Sequence, residues 1–345
     1  MTDSVSADAP LPVRRRLHRA ELLGLLERFA LPLLLLLVIV VFASLPVTSS
    51  TFTSPENIRN VLGDQAVLGV LAIASILPLV VGHFDLSVGA QASITQIAVA
   101  AAMSKHGVPM VPAVLVGVAL GACIGLVNGV LVAKVRVNAL ITTLGVATVI
   151  AGLISLYTEG TTIVTGISQR LIDIGQGEWL GIPRTTFFLL AVALLVAYVL
   201  SFTVYGRRLR LVGSNPPAAK LVGLNIDRLV LSTFVFTGAL AGVAGALLVA
   251  RNGNANPASG NEYTLLAVAA AFLGATSIRP GQFNVLGTLV AIFFLAFSVN
   301  GLNLAGVDPW INNVFNGTAL VVAVALSAVF ARQRQRQRAT ASGES

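Results

Sequence analysis

The sequence predicts an all-α polytopic membrane protein of about ten transmembrane helices with both termini cytoplasmic, and three observations predict it. The 345 residues are 56% hydrophobic and 10% charged, where soluble domains carry about 25% charge. Asp, Glu, Lys and Arg are placed so that ten uncharged stretches of sixteen residues or more lie between them: 29–55, 65–84, 86–104, 106–133, 137–158, 185–206, 229–250, 263–278, 280–307 and 309–331. The basic residues are unevenly shared between alternate connections. With the N-terminus inside, seventeen of the 22 Lys and Arg fall on the inner side, and only Arg59, Lys105, Arg170, Arg184 and Arg251 fall outside, which is the bias that orients membrane proteins.

Each uncharged stretch is long enough for one spanning helix of about 20 residues. Barrel strands are excluded because they alternate over about ten residues, and these stretches are longer and uniformly apolar. The composition leaves no room for a large extramembrane domain, and the single Cys123 excludes both a disulfide framework and a cysteine zinc site. Nucleic acid is not an expected partner despite the formal charge of +8, because the basic residues flank membrane stretches; the lipid bilayer is.

Residues 1–28 form a cytoplasmic segment that opens with acidic and small polar residues. Its Arg-rich, Leu-rich part predicts a short helix lying on the inner surface, from the spacing of Leu22, Leu25, Leu26 and Phe29. The apolar run 29–47 is too long for a signal-peptide core and is followed by no small-residue cleavage site, so it reads as an uncleaved first helix. Residues 29–331 form the ten-helix domain, and the basic tail 332–345 reads as an inner-surface anchor.

Within the fourth stretch Gly117, Gly121, Gly125 and Gly129 recur every four residues, and Gly238, Gly242, Ala246 and Ala250 repeat the pattern in the seventh. Such stripes let another helix pack at close range, and their separation by three spans hints at a duplicated half. Between the second and third helices Asp85 and Ser87 form a structural turn, with the Asp85 carboxylate expected to cap the third helix; His83 reads as a polar turn residue rather than a proton relay.

No stretch contains a buried carboxylate or basic partner of the kind that ion-driven carriers place at mid-membrane. The spans carry neutral polar groups instead. Asn128, Thr142, Thr143, Ser298 and Asn300 are the candidate translocation pathway, with Asn138, Asn303 and Asn312 of the same type. Amides and hydroxyls exchange hydrogen bonds with an uncharged polyhydroxylated solute without burying charge; the same groups could equally join helix to helix. No glycine-rich loop ends in Gly-Lys-Ser or Gly-Lys-Thr, and no nucleophile elbow, zinc helix or carboxylate pair at catalytic spacing is present. The chain therefore reads as no enzyme, needing no metal or organic cofactor, and any ATP used must be hydrolysed by a partner.

The longest inner loop, 205–228, offers that partner a docking element. Asn215 can cap a short helix, Pro216 suits its first position and Gly223 can end it, predicting a helix over 216–222 that exposes Ala218, Ala219 and Lys220. The alternative is an ordinary surface loop whose Arg207, Arg208 and Arg210 hold topology.

From about residue 30 to 330 the chain resembles the permease subunits of ribose-type bacterial ABC sugar importers. Phe84-Asp85-Leu86-Ser87-Val88-Gly89 is similar to the family's turn motif. Gly125-Leu126-Val127-Asn128-Gly129, Leu131-Val132-Ala133-Lys134 and Thr142-Thr143-Leu144-Gly145 resemble its fourth and fifth helices, and Leu273-Gly274-Ala275-Thr276-Ser277 and Asn300-Gly301-Leu302 resemble motifs near helices eight and nine. Tyr205-Gly206-Arg207, Gly213-Ser214-Asn215 and Ala218-Ala219-Lys220-Leu221-Val222-Gly223 resemble the loop that engages the ATPase. His83 and Phe84 depart from the commoner glycine and isoleucine. The resemblance implies a multi-pass permease of the bacterial inner membrane that imports a neutral sugar or sugar-like solute. It also implies a second permease subunit (homodimer or heterodimer), a cytoplasmic tandem-cassette ATPase, an extracytoplasmic sugar-binding protein, and an ATPase-coupling loop made by Asn215, Pro216, Pro217, Ala218, Ala219, Lys220 and Gly223. An ion-gradient-driven secondary carrier is the alternative.

Overall fold

The computed structural model describes residues 13–343, with side chains described for 28–326 other than 261. Residues 1–12 of the N-terminal segment, the Leu22, Leu25 and Leu26 side chains, and the side chains of the basic tail lie outside the described residues.

One helix occupies each uncharged stretch. They are α1 (Val13–Ser44), α3 (Pro55–Val80), α4 (Val88–His106), α5 (Met110–Gly129), α6 (Ala139–Thr158), α8 (Arg184–Phe202), α11 (Ile226–Asn252), α12 (Asn261–Ala275), α13 (Val285–Leu304) and α14 (Trp310–Gly343). Between them lie short pieces: α2 (Ser49–Phe52), α7 (Gln169–Gln176), β1 (Glu178–Trp179) paired antiparallel with β2 (Ile182–Pro183), α9 (Val204–Ser214) and α10 (Pro216–Leu221). Among the described residues six helices, namely α3, α5 with its extension to Lys134, α6, α8, α11 and α13, are long and apolar enough to cross a membrane, and shorter apolar helices span Arg28–Ser44, Glu262–Ala275 and Trp310–Leu326. The backbone runs helical without a break from Val13 into the first apolar stretch.

The ends follow local chemistry. The side chains of Ser54, Asn138, Thr203, Asn215, Asn225 and Asn284 each accept a hydrogen bond from a first-turn N–H of the helix that follows, satisfying donors that a helix start leaves orphaned. Gly107 and Gly253 end α4 and α11 in the left-handed conformation. α5 does not stop cleanly: it passes into one π-helical turn, Val130–Lys134.

The helices α3, α4 and α11 form the interior, while α5, α6 and α8 expose most of their apolar surface. α4 is enclosed although it carries Gln91, Ser93, Thr95 and Gln96, all at most 1% exposed. Its polar groups are answered in part, from within α4 and from the 256–259 loop, while Gln91 Oε1, Ser93 Oγ and Gln96 Oε1 have no hydrogen-bond partner among the described residues. Gln91 bonds within its own turn, Thr95 donates to the Gln91 carbonyl at 2.8 Å, and Gln96 Nε2 donates to Asn256 O and Ser259 Oγ, both at 2.6 Å.

The two small-residue stripes pack on each other. A Cβ on Gly121 would overlap the carbonyl oxygen of Gly238, one on Gly238 would overlap that of Gly121, and one on Gly125 would overlap that of Phe234. α5 and α11 thus cross backbone to backbone over several turns. Gly238→Val should lower the melting temperature in detergent by at least about 5 °C, because backbone cannot yield to an overpacked side chain. Gly145→Val, where an added Cβ meets nothing within 4 Å, should leave it unchanged. Equal melting of the two variants would show that the crossing does not depend on glycine.

Candidate functional site

The turn after α3 holds the densest polar cluster. Asp85 is 2% exposed and Ser87, Gln91 and Asn128 are fully buried. Asp85 Oδ1 accepts from Ser87 N at 2.9 Å and from Ser87 Oγ at 2.6 Å, and its Oδ2 accepts from Gln91 Nε2 at 3.3 Å. Ser87 Oγ in turn accepts from Gln91 Nε2 and Asn128 Nδ2, each at 2.8 Å. Donation therefore runs one way, from two amides through a hydroxyl to a carboxylate, and among the described residues no ion pair reaches Asp85. Ser87 occupies the cap position of α4 without a capping bond from its side chain; the Asp85 oxygen takes the Ser87 N–H instead. Next to it, Thr143 Oγ1 accepts from Leu86 N at 3.0 Å and donates to Ala139 O at 2.8 Å, so one turn is stitched to α5 and α6 together. Burial holds the His83 imidazole below its usual pKa, and its ring lies 6.4 Å from that of Phe234.

A second site opens between α3, α12, α13 and α14. This cleft of about 840 Å³ has a mixed lining, with Asn300, Asn303, Asn312, Asn313, Asn316, Gln65, Asp64, Glu262 and Tyr263 set among apolar residues such as Leu68, Leu265, Leu295, Val299 and Leu320. Asp64 is held by Arg251, whose Nη2 and Nε lie 2.9 and 3.0 Å from its Oδ1. Asn300 exchanges two bonds with Asn57, at 2.9 and 3.0 Å, and the buried Oδ1 of Asn312 has no partner among the described residues.

The pathway residues read from the sequence are thus not brought to one place. Asn128 and Thr143 belong to the turn cluster, Thr142 lies buried near it with an unpartnered Oγ1, and Asn300 lines the cleft. Ser298 is 3% exposed and turns back to Phe294 O at 2.7 Å. Sequence reasoning missed Gln91, Gln65, Asn313, Asn316, Glu262 and Tyr263. The Asn312-Asn313-x-x-Asn316 run carried a usable signal, since that spacing sets amides on neighbouring positions of one helix.

The third site is the loop 205–228. Asn215 Oδ1 accepts from Ala218 N at 3.0 Å, and Gly223 has φ +79°, so the short helix forms as its caps dictate. It ends at Leu221, with Val222 as the cap residue rather than the last helical position. One expectation is overturned: Ala219 is fully buried, because the position one turn after Asn215 faces the protein's own core, while Leu221 and Val222 are 89% and 67% exposed. Pro216, Pro217 and Lys220 share a groove of about 900 Å³ with His83, Arg136, Val137, Asn138 and Asp227. Burial pushes the nearby Tyr205 hydroxyl above its usual pKa against the opposing effect of its bond to Ser232, at 2.7 Å.

Residues 57–324 match the family model of the branched-chain amino acid transport system / permease component. The chain belongs to that family. The ribose import permease protein of Escherichia coli (strain K12) is 35% identical over 294 residues, covering 84% of this chain and 91% of the relative. Its counterpart in Bacillus subtilis (strain 168) is 33% identical, covering 88% and 93%, and the fructose import permease protein of Rhizobium meliloti is 29% identical, covering 94% and 91%. No solved structure matches. As a member of this permease family with several membrane-length apolar helices, the chain is a multi-pass membrane protein.

Ser87→Ala removes the one hydroxyl that joins Asp85, Gln91 and Asn128, stranding buried donors. It should lower the unfolding free energy in micelles by about 1–3 kcal/mol. Ser298→Ala, which loses only a bond to its own helix, should cost less than about 0.5 kcal/mol. Chemical unfolding of both variants checks the ranking; a Ser298 effect as large as that of Ser87 would remove the cluster from its structural role.

Proposed function

We propose that the chain is the membrane-spanning permease subunit of an ATP-binding-cassette importer for a neutral, hydroxylated solute of the sugar class, acting in the bacterial inner membrane. It crosses ten times with both termini in the cytoplasm, pairs with a second permease subunit, takes its solute from an extracytoplasmic binding protein and is energised by a cytoplasmic tandem-cassette ATPase. The observation that carries the solute class is the group of amides set among the apolar residues of the cleft. Five asparagines and a tyrosine face a space large enough for a monosaccharide, and amides offer donor and acceptor together, as sugar hydroxyls require. Import permeases named for ribose and fructose among the relatives support the same class.

Asp64 is paired with Arg251, and the residues that line the cleft include the carboxylate of Glu262 but no basic group to attract an anionic solute. Asp85 and Ser87 act as a structural turn. Coupling to the ATPase runs through 215–223, where the exposed Leu221 and Val222 are the apolar anchors and Pro216, Pro217 and Lys220 border the groove shared with Arg136 and Asn138.

Radiolabelled ribose and fructose uptake tests the solute class. Reconstituted with its ATPase and binding protein, the permease should import at least one of them only with ATP; uptake driven by a proton or sodium gradient without the ATPase would establish the secondary-carrier alternative. Asn303→Leu and Asn316→Leu should each cut uptake about tenfold, the loss expected for removing one or two solute hydrogen bonds, with membrane abundance unchanged. Leu221→Asp should abolish co-purification with the ATPase while the protein stays inserted; Ala219→Glu should instead damage folding, because it buries an unpaired charge. Normal ATPase capture by Leu221→Asp would move the docking surface away from this loop.

A further inference from the structure

The N-terminal end of α8 carries a feature that neither the cleft nor the inner loop uses. Residues 178–183 form a minimal hairpin in which Glu178 pairs with Pro183 and Trp179 with Ile182. Its turn residues are Leu180 at φ +53° and Gly181 at φ +76°, the left-handed pair that a two-residue hairpin requires and that asparagine-glycine usually supplies. A leucine is strained there, and it is 96% exposed. Trp179 and Ile182 are exposed beside it.

The hairpin folds back along α8 instead of standing out from it. The Trp179 ring lies 5.5 Å from that of Phe187 and the Arg184 guanidinium 5.5 Å from the indole, and Phe187 is about one helical turn inside α8. From Phe187 the exposed apolar surface continues through Leu190, Leu194, Leu195, Tyr198 and Phe202. α8 has 19 residues, about 28 Å of rise, close to the thickness of a bilayer's hydrocarbon core. Its surface therefore meets lipid along its length, with Trp179 at one end and the stacked Tyr198 and Phe202 at the other, the two levels where aromatic side chains gather. Arg59, in its 3.5 Å ion pair with Glu178, adds a part-exposed cation beside the hairpin, while the Arg184 guanidinium is held by the protein, its Nη1 donating to Asp173 O at 3.0 Å.

We propose that this hairpin is a membrane-interface foot. Trp179, Leu180 and Ile182 enter the boundary between headgroups and acyl chains of the leaflet at the N-terminal end of α8, with the part-exposed Arg59 beside them on the headgroup side. Lipid is the occupant because the hairpin's apolar side is continuous with the lipid-facing stripe of α8. The foot fixes how deeply α8 sits and how far it tilts. It depends neither on the solute nor on which side of the membrane the loop faces.

The chain has two tryptophans, so Trp310→Phe leaves Trp179 as the sole reporter. In vesicles of phosphatidylcholine brominated at shallow or deep acyl positions, its fluorescence should fall at least about twofold, most with shallow bromine, as expected for an indole at the interface. Adding Leu180→Asp should weaken that quenching and shift the emission to the red, whereas Leu180→Asn should improve the turn and still lose lipid contact. Should Trp310→Phe fail to fold, a nitroxide on Leu180→Cys in a Cys123→Ser background should collide more with oxygen than with a water-soluble nickel complex. Free quenching by aqueous acrylamide without any effect of brominated lipid, or nitroxide contact favouring nickel, overturns the proposal. A blue shift that appears only on adding the extracytoplasmic binding protein or at high density of the permease also overturns it, and assigns the hairpin to a protein contact.

Discussion

In a bilayer the lipid tails are as apolar as leucine, so no exclusion from water presses α5 against α11. What holds them is the number of atoms brought into van der Waals range, and only the absence of side chains along Gly117, Gly121, Gly125, Gly238 and Gly242 lets two backbones come that close. The rest of the bundle is laid around this crossing. α4 and α3 pack on other faces of α11, and the Gln91 side chain reaches the same crossing at Gly238. The tightest helix contact and the most polar buried cluster therefore share a boundary.

The turn cluster adds direction to that contact. A carboxylate away from water is costly unless its oxygens accept hydrogen bonds, and Asp85 obtains all of its partners from residues two to six positions on. Ser87 then passes the connection to Asn128 on α5, and the Leu86 N–H passes it to Thr143 on α6. Three helices are thus indexed to one turn, within reach of the groove where His83, Arg136 and the start of α10 meet.

Much of this was legible because membrane segments announce themselves by what they lack. The charged residues bound the apolar run of every long helix, although α1, α3, α11 and α14 extend past them, and the caps Asn138 and Asn215 stand at the start of an uncharged stretch and just before Pro216. The glycine stripes were legible as packing surfaces, but not that they would pack on each other, since a stripe names no partner. Burial of single side chains was not legible. Ala219 and Lys220 are neighbours in a six-residue helix, and one faces the core while the other faces water; a short helix has too few turns for its pattern to reveal which side is inside. The cleft escaped for a related reason, because its asparagines come from α13 and α14 and only folding brings them beside Glu262 and Tyr263.

The enclosure of α4 bears on how the protein is made. This helix, with Gln91, Ser93, Thr95 and Gln96, is the poorest of the long helices in the free energy that moves a segment from the translocon into lipid. The helix that covers it most, α11, lies more than a hundred residues later in the chain. Between the synthesis of the two, the ribosome adds the long helices α5, α6 and α8, and until α11 follows, α4 has α3, α5 and α6 for shelter. Biogenesis therefore includes an interval in which a polar helix waits beside an incomplete bundle, and membrane chaperones that bind polar segments have their natural substrate in that interval.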